Sequence, residues 1–267
     1  MLLMEIRRYA RIFKQAVANR FADYAVSRAD FVTYLAGKLL RMGFFVLLAI
    51  SLFAHTKTIV GYTKGEVLMF FAVMNMIDVL TQAIWYRGLH SLKDHIRRGK
   101  FDQFLVQPVW PLFKVTAMQV DLFDVITIPV AVAYIVFAWR LLPTAPDVTT
   151  AIIALGLFCL SLILAFSINL CMASLSFWTT ENESAWALYR DSIYVARFPP
   201  EIFPRSIRTV FTFAIPMLGI VAFPAKTLMG LMSPAILLLA IPITSLWLVM
   251  SLALWRAGLR HYTSAGG

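Results

Sequence analysis

The sequence predicts an all-α integral membrane protein, with six transmembrane helices, an N-terminal amphipathic helix and a short amphipathic helix between the second and third spans. Three observations predict it. The 267-residue chain is 60% apolar and 14% charged, with a mean hydropathy of +0.77; a soluble domain is near a quarter charged. Its apolar residues gather into six runs of roughly bilayer length. Its bases are unevenly shared among the connections: residues 1–41, 87–114, 179–208 and 256–267 hold 20 of the 24 Lys and Arg. The alternate connections hold four, Lys57, Lys64, Arg140 and Lys226. That is the positive-inside pattern, with both termini cytoplasmic. It accounts for the net charge of +10 without nucleic acid.

Residues 5–28 place Ile6, Tyr9, Phe13, Val17, Phe21 and Tyr24 among five bases, Arg7, Arg8, Arg11, Lys14 and Arg20. This is a basic amphipathic helix suited to a membrane surface. The first span is expected at 34–54, where Lys38 and Arg41 can snorkel to the interface. The second is expected at 67–86, ending on Trp85 and Tyr86 as an interfacial belt. The third is expected at 115–139 and the fourth at 150–178, the latter longer than a bilayer needs. Residues 179–208 read as a polar surface helix followed by a turn at Pro199, Pro200 and Pro204. The fifth span is expected at 209–225, interrupted by Pro216, Gly219 and Pro224, and the sixth at 235–255. No soluble domain interrupts the series, so 1–267 reads as one transmembrane domain.

The stretch 87–113, RGLHSLKDHIRRGKFDQFLVQPVWPLF, has its own internal order. Leu89, Leu92 and Ile96 share one helix face, with Lys93, Asp94, Arg97 and Arg98 around the rest. Gly99 ends that helix. Lys100, Phe101, Phe104 and Leu105 follow, and Pro108 and Pro111 oppose further regular helix. The expectation is a compact element lying against the membrane face, through which a partner outside the bilayer pushes on the helices inside. The alternative is a solvated basic loop.

Charges inside a bilayer cost about 2.5–3.5 kcal/mol each on insertion scales, so the buried acids call for a reason. Asp78 and Gln82 share a face of the second span, Asp121 and Asp124 a face of the third, and Asn169 lies in the fourth. These residues either line a polar translocation path or pair with bases such as Arg41 and Arg87. Pro216, Gly219 and Pro224 break a helix in a way that lipid tolerates only where neighbours or water satisfy the freed backbone groups. That suits a gate, or a kinked packing helix.

Several chemistries lack their residues. No G-x-x-x-x-G-K-[ST] loop is present, so the chain carries no ATPase site of that kind. DLFDVITIPV lacks the glycine and further acids of an intramembrane phosphotransferase that holds Mg²⁺ between aspartates. The four histidines and two cysteines have no ligand spacing, so no metal is expected. Cys159 and Cys171, twelve residues apart on one helix, lie roughly 18 Å from each other. MLLMEIRRYARIFKQ puts charges where a secretory signal needs its apolar core.

Three stretches carry a family resemblance. RRGKFDQFLVQPVWPLF resembles the R-x-G-x-[LF]-D-x-[FL]-L-x-[RQ]-P-x-x-P-L segment of ABC-2-type transporter permeases, in their six-span subfamily of ABC transport-system permease components. FPPEIFPRSIRTVFTFAIPMLGIVAFPAKTLMG is similar to that family's proline-rich pattern, and WRAGLRHYTSAGG to its W-x-x-G-L-R-x-Y-x-S-A-G close. Gln107 stands where the family commonly has arginine, so a contact made there by a base is weaker or replaced.

The resemblance implies a permease subunit of an ATP-binding cassette transporter in a bacterial inner membrane, exporting substrate by alternating access. It implies a second permease chain, identical or homologous, and two copies of a separate cytoplasmic ATPase that bind ATP and Mg. Residues 87–113 would hold the coupling helix, with Leu92, Lys93, Ile96, Arg97, Arg98, Gly99, Lys100 and Phe101 at the ATPase. Residues 5–28 would be the elbow helix, resting on membrane lipid. The alternative function is a non-transporting membrane scaffold or assembly protein.

Overall fold

The computed structural model describes residues 7–9, 11–15, 17–18, 28–117, 119–144, 146–179, 182–232 and 234–263. It is all-helical. The described residues of the N-terminal amphipathic stretch are helical at 7–9, 11–15 and 17–18. Residues 5, 6, 10, 16 and 19–27 of the expected helix lie outside the described residues.

Helix α1 (Arg28–Leu52) is the first span. Helix α2 (Lys64–Thr81) opens on a capping box, in which the Glu66 carboxylate accepts the Thr63 backbone N–H at 2.6 Å and the Thr63 hydroxyl accepts from Glu66 N. It does not stop at the predicted belt. A π-helical turn, Gln82–Tyr86, carries it into α3 (Arg87–Arg97), so Lys64–Arg97 is one 34-residue helix. At 1.5 Å per residue it is roughly 51 Å long, well beyond a hydrocarbon core of about 30 Å. The expected separate helix lying on the membrane face is therefore corrected to an extension of the second span. The cause is local: nothing between Tyr86 and Gly99 breaks a helix, and the π turn absorbs the change of face.

Gly99 ends the extension as predicted, at φ +65°, a left-handed conformation that suits glycine. The chain then folds through α4 (Asp102–Leu105) and α5 (Pro111–Ala117). Pro111 does not prevent helix here. It opens α5, where its missing N–H would have had no intrahelical partner anyway. Helix α6 (Leu122–Arg140) starts later than the predicted third span, capped by Asp121, whose carboxylate accepts from Phe123 N at 3.0 Å. Helix α7 (Val148–Ser174) continues through a 3₁₀ turn, Leu175–Phe177, as a 30-residue span.

The largest departure lies in 179–228. Helix α8 (Glu183–Val195), expected on the surface, begins a segment that runs antiparallel to α2 and α3. Glu183 pairs with Lys93 and lies 3.6 Å from His90. Trp186 meets Tyr86 at 5.3 Å between ring centroids, and Phe198 meets Phe71 at 5.6 Å. Tyr62, before α2, donates its hydroxyl to Glu201 at 2.7 Å. The segment from Glu183 to Glu201 thus crosses the whole bundle. The bases Arg190, Arg197, Arg205 and Arg208 are then not gathered at the α3 end, as the count by segments supposed.

The predicted fifth span falls instead on a bent pair. Helix α9 (Arg205–Thr209) with a π turn, Val210–Ala214, meets α10 (Met217–Leu228) at 92°. Every residue from Met217 to Ala225 is buried, packed among α2 and α7. The last span is α11 (Pro234–His261). Among the described residues, five helices are long and apolar enough to cross a membrane, six if the bent pair counts as one span. Helix α8 is too short to cross by itself, at 13 residues, and carries Glu183, Arg190 and Asp191.

Candidate functional site

At the α3 end, four aromatic rings from three parts of the sequence meet. Phe101, fully buried just past Gly99, lies 5.5 Å from Phe177, 5.1 Å from Tyr262 and 6.4 Å from Trp255. Phe177 and Trp255 are themselves 5.2 Å apart. Edge-on pairs at these separations are each worth roughly 0.5–1.5 kcal/mol beyond burial. Gly258 makes the approach possible: a Cβ there would run into the Phe177 ring. Tyr262 donates its hydroxyl to Asp102 at 2.9 Å. The loop after α3, the end of α7 and the end of α11 are thus locked together. The described N-terminal residues rest on the same region, since Arg8 donates to the Pro108 carbonyl, Trp110 N donates to the Tyr9 hydroxyl at 3.2 Å, and Tyr9 meets Phe113 at 4.8 Å.

The eight residues expected at the coupling site therefore divide. Leu92, Ile96 and Phe101 face the protein interior, with Leu92 and Phe101 at 0% exposure. Lys93 is held by Glu183. Arg97, Arg98 and Lys100 are exposed, and Arg97 also donates to Asp94 at 3.1 Å. Gln103, Leu105, Val106, Gln107 and Pro108 are exposed beside them. A partner reaching this end meets three bases and the 103–108 turn. The apolar face of α3 serves packing.

Each intramembrane aspartate has a basic partner. Lys38 reaches Asp124 at 2.5 Å, where Tyr34 also donates its hydroxyl at 2.7 Å. Arg41 donates to Asp78 at 2.6 Å, and Gln82 donates to the other oxygen of Asp78 at 2.9 Å. Arg87 pairs with Asp121. Asn169, fully buried, donates to the Tyr189 hydroxyl at 2.8 Å and to the Ala165 carbonyl. Pairing is the arrangement that lipid demands of buried charge. Asp78 and Gln82 nonetheless border a cavity of about 110 Å³ between α2 and α8, with Tyr189, Arg190 and Tyr194 on its other wall. The π turn that starts at Gln82 lies at its rim, and π turns within helices frequently mark functional sites. Asp121, Asp124 and Asn169 do not line that cavity.

Pro216 stands at the 92° break itself, before α10. Gly219 packs close under the Phe223 ring and the Thr212 carbonyl, and Pro224 is buried inside α10. At this far end Lys226 pairs with Glu201, which also accepts from Tyr62. One carboxylate thus ties the loop before α2, the end of the α8 segment and α10.

Sequence reasoning missed Tyr189, Tyr194 and Arg197, because 179–208 read as surface. Their signal was present: Trp186, Tyr189, Ile193 and Ala196 share a face, a stripe wide enough to bury. The joint formed by Phe101, Phe177, Trp255 and Tyr262 had no signal in spacing, since its members are up to 161 residues apart.

Among the described residues no cluster of His, Cys, Asp or Glu could hold a metal ion. A family model described as an ABC-2 family transporter protein matches residues 39–266. No curated protein and no solved structure matches the chain.

Proposed function

The chain belongs to the ABC-2 transporter family, whose multi-pass membrane components are typically not catalytic themselves, and from that premise we propose that it is the permease subunit of an ATP-driven exporter. Two copies of a separate cytoplasmic ATPase, each binding ATP and Mg, drive a pair of permease chains between inward- and outward-open forms. The α3 end is cytoplasmic and receives the ATPase, and the membrane is a bacterial inner membrane with both termini inside.

The observation that carries this reading is the joint at Phe101. An ATPase seated against Arg97, Arg98, Lys100 and the 103–108 turn pushes on a loop whose core is fixed to α7 through Phe177 and to α11 through Trp255 and Tyr262. The same loop is continuous with α2 through α3. A movement there reaches three spans at once. A solvated loop would need no such attachment. Partner-driven closure then biases the spans between two packings, as a ligand biases any two-state element. The pairs Lys38–Asp124, Arg41–Asp78 and Arg87–Asp121 keep the charges compensated within the bundle.

The test is a mild-detergent pull-down of the tagged chain from its native cells, with co-purifying proteins identified by mass. A soluble subunit carrying a P-loop, recovered in proportion, supports the permease reading, and a second six-span chain beside it separates a heterodimer from a homodimer. Intact, monodisperse chain recovered with no ATPase overturns it in favour of a membrane scaffold.

A further inference from the structure

Arg197 is an unusual charge. It lies past α8 on the segment that crosses the bundle, one turn short of Glu201, and is half-buried. Its guanidinium sits 4.0 Å from the Phe45 ring centroid and 4.8 Å from that of Tyr194. Nε donates to the Tyr194 carbonyl at 2.7 Å. Among the described residues it has no carboxylate partner, whereas Lys38, Arg41, Arg87, Lys93 and Lys226 all do. Capping the end of α8 uses one of five N–H donors. The side chain folds back one turn, onto the Tyr194 carbonyl and the Phe45 ring.

Beside it runs a shallow, open groove along α1. Its walls are Leu39, Leu40, Phe44 and Leu47, with Leu40 at 75% and Leu47 at 65% exposure. Arg41, Tyr194 and Arg197 close one side. Arg41 is paired with Asp78, so the groove is apolar along its length with one cation on its wall that, among the described residues, makes no ion pair. Guanidinium groups favour phosphate and carboxylate through paired N–H donors.

We infer that this groove binds an anionic amphiphile, an acidic headgroup on Arg197 with an alkyl body along the exposed face of α1, and that molecules of this class are what the chain transports. Calling the ligand a substrate rests on the permease reading; the binding does not. A lipid without an anionic group gains nothing from Arg197, and a bare anion gains nothing from the apolar wall. The proposed headgroup supplies the direct carboxylate or phosphate contact that no described residue gives Arg197.

The test uses the full-length chain in a neutral maltoside detergent, with dodecyl phosphate as the probe and native mass spectrometry plus thermal unfolding as readouts. Saturable binding of dodecyl phosphate is expected, with no response to inorganic phosphate alone or to dodecanol. Arg197→Gln should weaken it about tenfold, the scale of a lost charge-assisted contact, and Arg197→Lys should retain most of it. Phe45→Leu, which keeps the charge and removes the ring beneath it, serves as a second variant should Arg197→Gln fail to fold. It should weaken binding to a smaller degree. Equal affinity in wild type and Arg197→Gln, or an equal response to dodecanol, overturns the inference. So does a chain dimer that hides the groove and is lost in Arg197→Gln without any dodecyl phosphate binding, because the face is then covered by a second copy. Dodecyl phosphate should also stimulate ATP hydrolysis by whatever ATPase co-purifies. Binding without stimulation overturns the substrate assignment. Co-purification of an ATPase without probe binding leaves the permease reading standing and removes this one.

Discussion

Tyr262 and Asp102, 160 residues apart in sequence, are joined by a 2.9 Å hydrogen bond from the phenol to the carboxylate. The bond closes the aromatic joint from outside, since Phe101 beside Asp102 touches the same tyrosine ring. Tyr262→Phe keeps the ring and removes one hydrogen bond, a loss of about 0.5–1.5 kcal/mol. Phe101→Ala empties a fully buried site and should cost about 3–5 kcal/mol. Thermal unfolding should rank the two in that order. Phe101→Leu, milder in volume, should leave the chain folded but lower substrate-stimulated ATP hydrolysis in the complex. Unchanged stimulation would show that the joint transmits nothing.

The exposed bases make a different prediction. Arg97→Glu with Arg98→Glu alters no buried contact, so insertion and melting temperature should stay near wild type. Recovery of the ATPase in a pull-down should fall sharply, and more so at raised ionic strength, where the remaining charge attraction is screened. Leu92→Ala should behave in the opposite way, destabilising the chain by about 2–5 kcal/mol because Leu92 is packed inside.

Lys38 and Asp124 form the most enclosed of the ion pairs, with the Asp124 side chain at 0% exposure. Asp124→Asn leaves the lysine uncompensated and should cost about 3–5 kcal/mol. Lys38→Met with Asp124→Leu removes both charges and should recover most of that loss. If the pair is structural, transport per folded molecule survives in the double variant. A loss of turnover despite recovered stability would place these residues in the translocation path.

Glu201 predicts an acid sensitivity. Burial alone would raise its pKa, but the hydrogen bonds from Lys226 and Tyr62 outweigh burial and hold the carboxyl below its usual range. Its folded pKa is therefore depressed. The stabilisation is present above the unfolded value of about 4.3 and is lost as pH falls through the folded one. Glu201→Gln should flatten the stability profile in that acid range and leave it unchanged near neutrality in slope.

Cysteine accessibility checks the course of 183–208. Single cysteines at Glu183 and Arg205 should label from opposite sides of the membrane with an impermeant maleimide. Labelling from one side would restore the surface helix that the sequence suggested.

That region shows where sequence reasoning reached its limit. Hydropathy found α1, α2, α6, α7 and α11, because each faces apolar surroundings for most of its length. It passed over α8, a short helix whose Tyr189 is buried against the cavity beside α2 and whose Arg190 sits exposed at that cavity's edge. It accepted 209–225 because composition alone does not register the 92° break at Pro216. Gly99 was legible because a left-handed turn needs a particular residue. The burial of Phe101 was not, because its partners come from distant parts of the chain. The pairing of Asp78 with Arg41 was among the readings open from sequence; the choice of Lys38 for Asp124 required the packing of α1 on α6.

The unbroken helix from Lys64 to Arg97 also has a mechanical meaning. Its π turn, centred near Ile84, divides it into arms of roughly 20 Å toward Arg97 and 30 Å toward Lys64. If the rod rocks about that turn, its far tip travels about one and a half times as far as the tip that is pushed, in the opposite direction. A thrust of 2 Å, taken as an order-of-magnitude figure, then becomes about 3 Å at the Tyr62–Glu201–Lys226 contact. The short arm would bear the larger force and the long arm would make the larger stroke, so a small displacement on one side of the bilayer is geared up into a wider opening on the other.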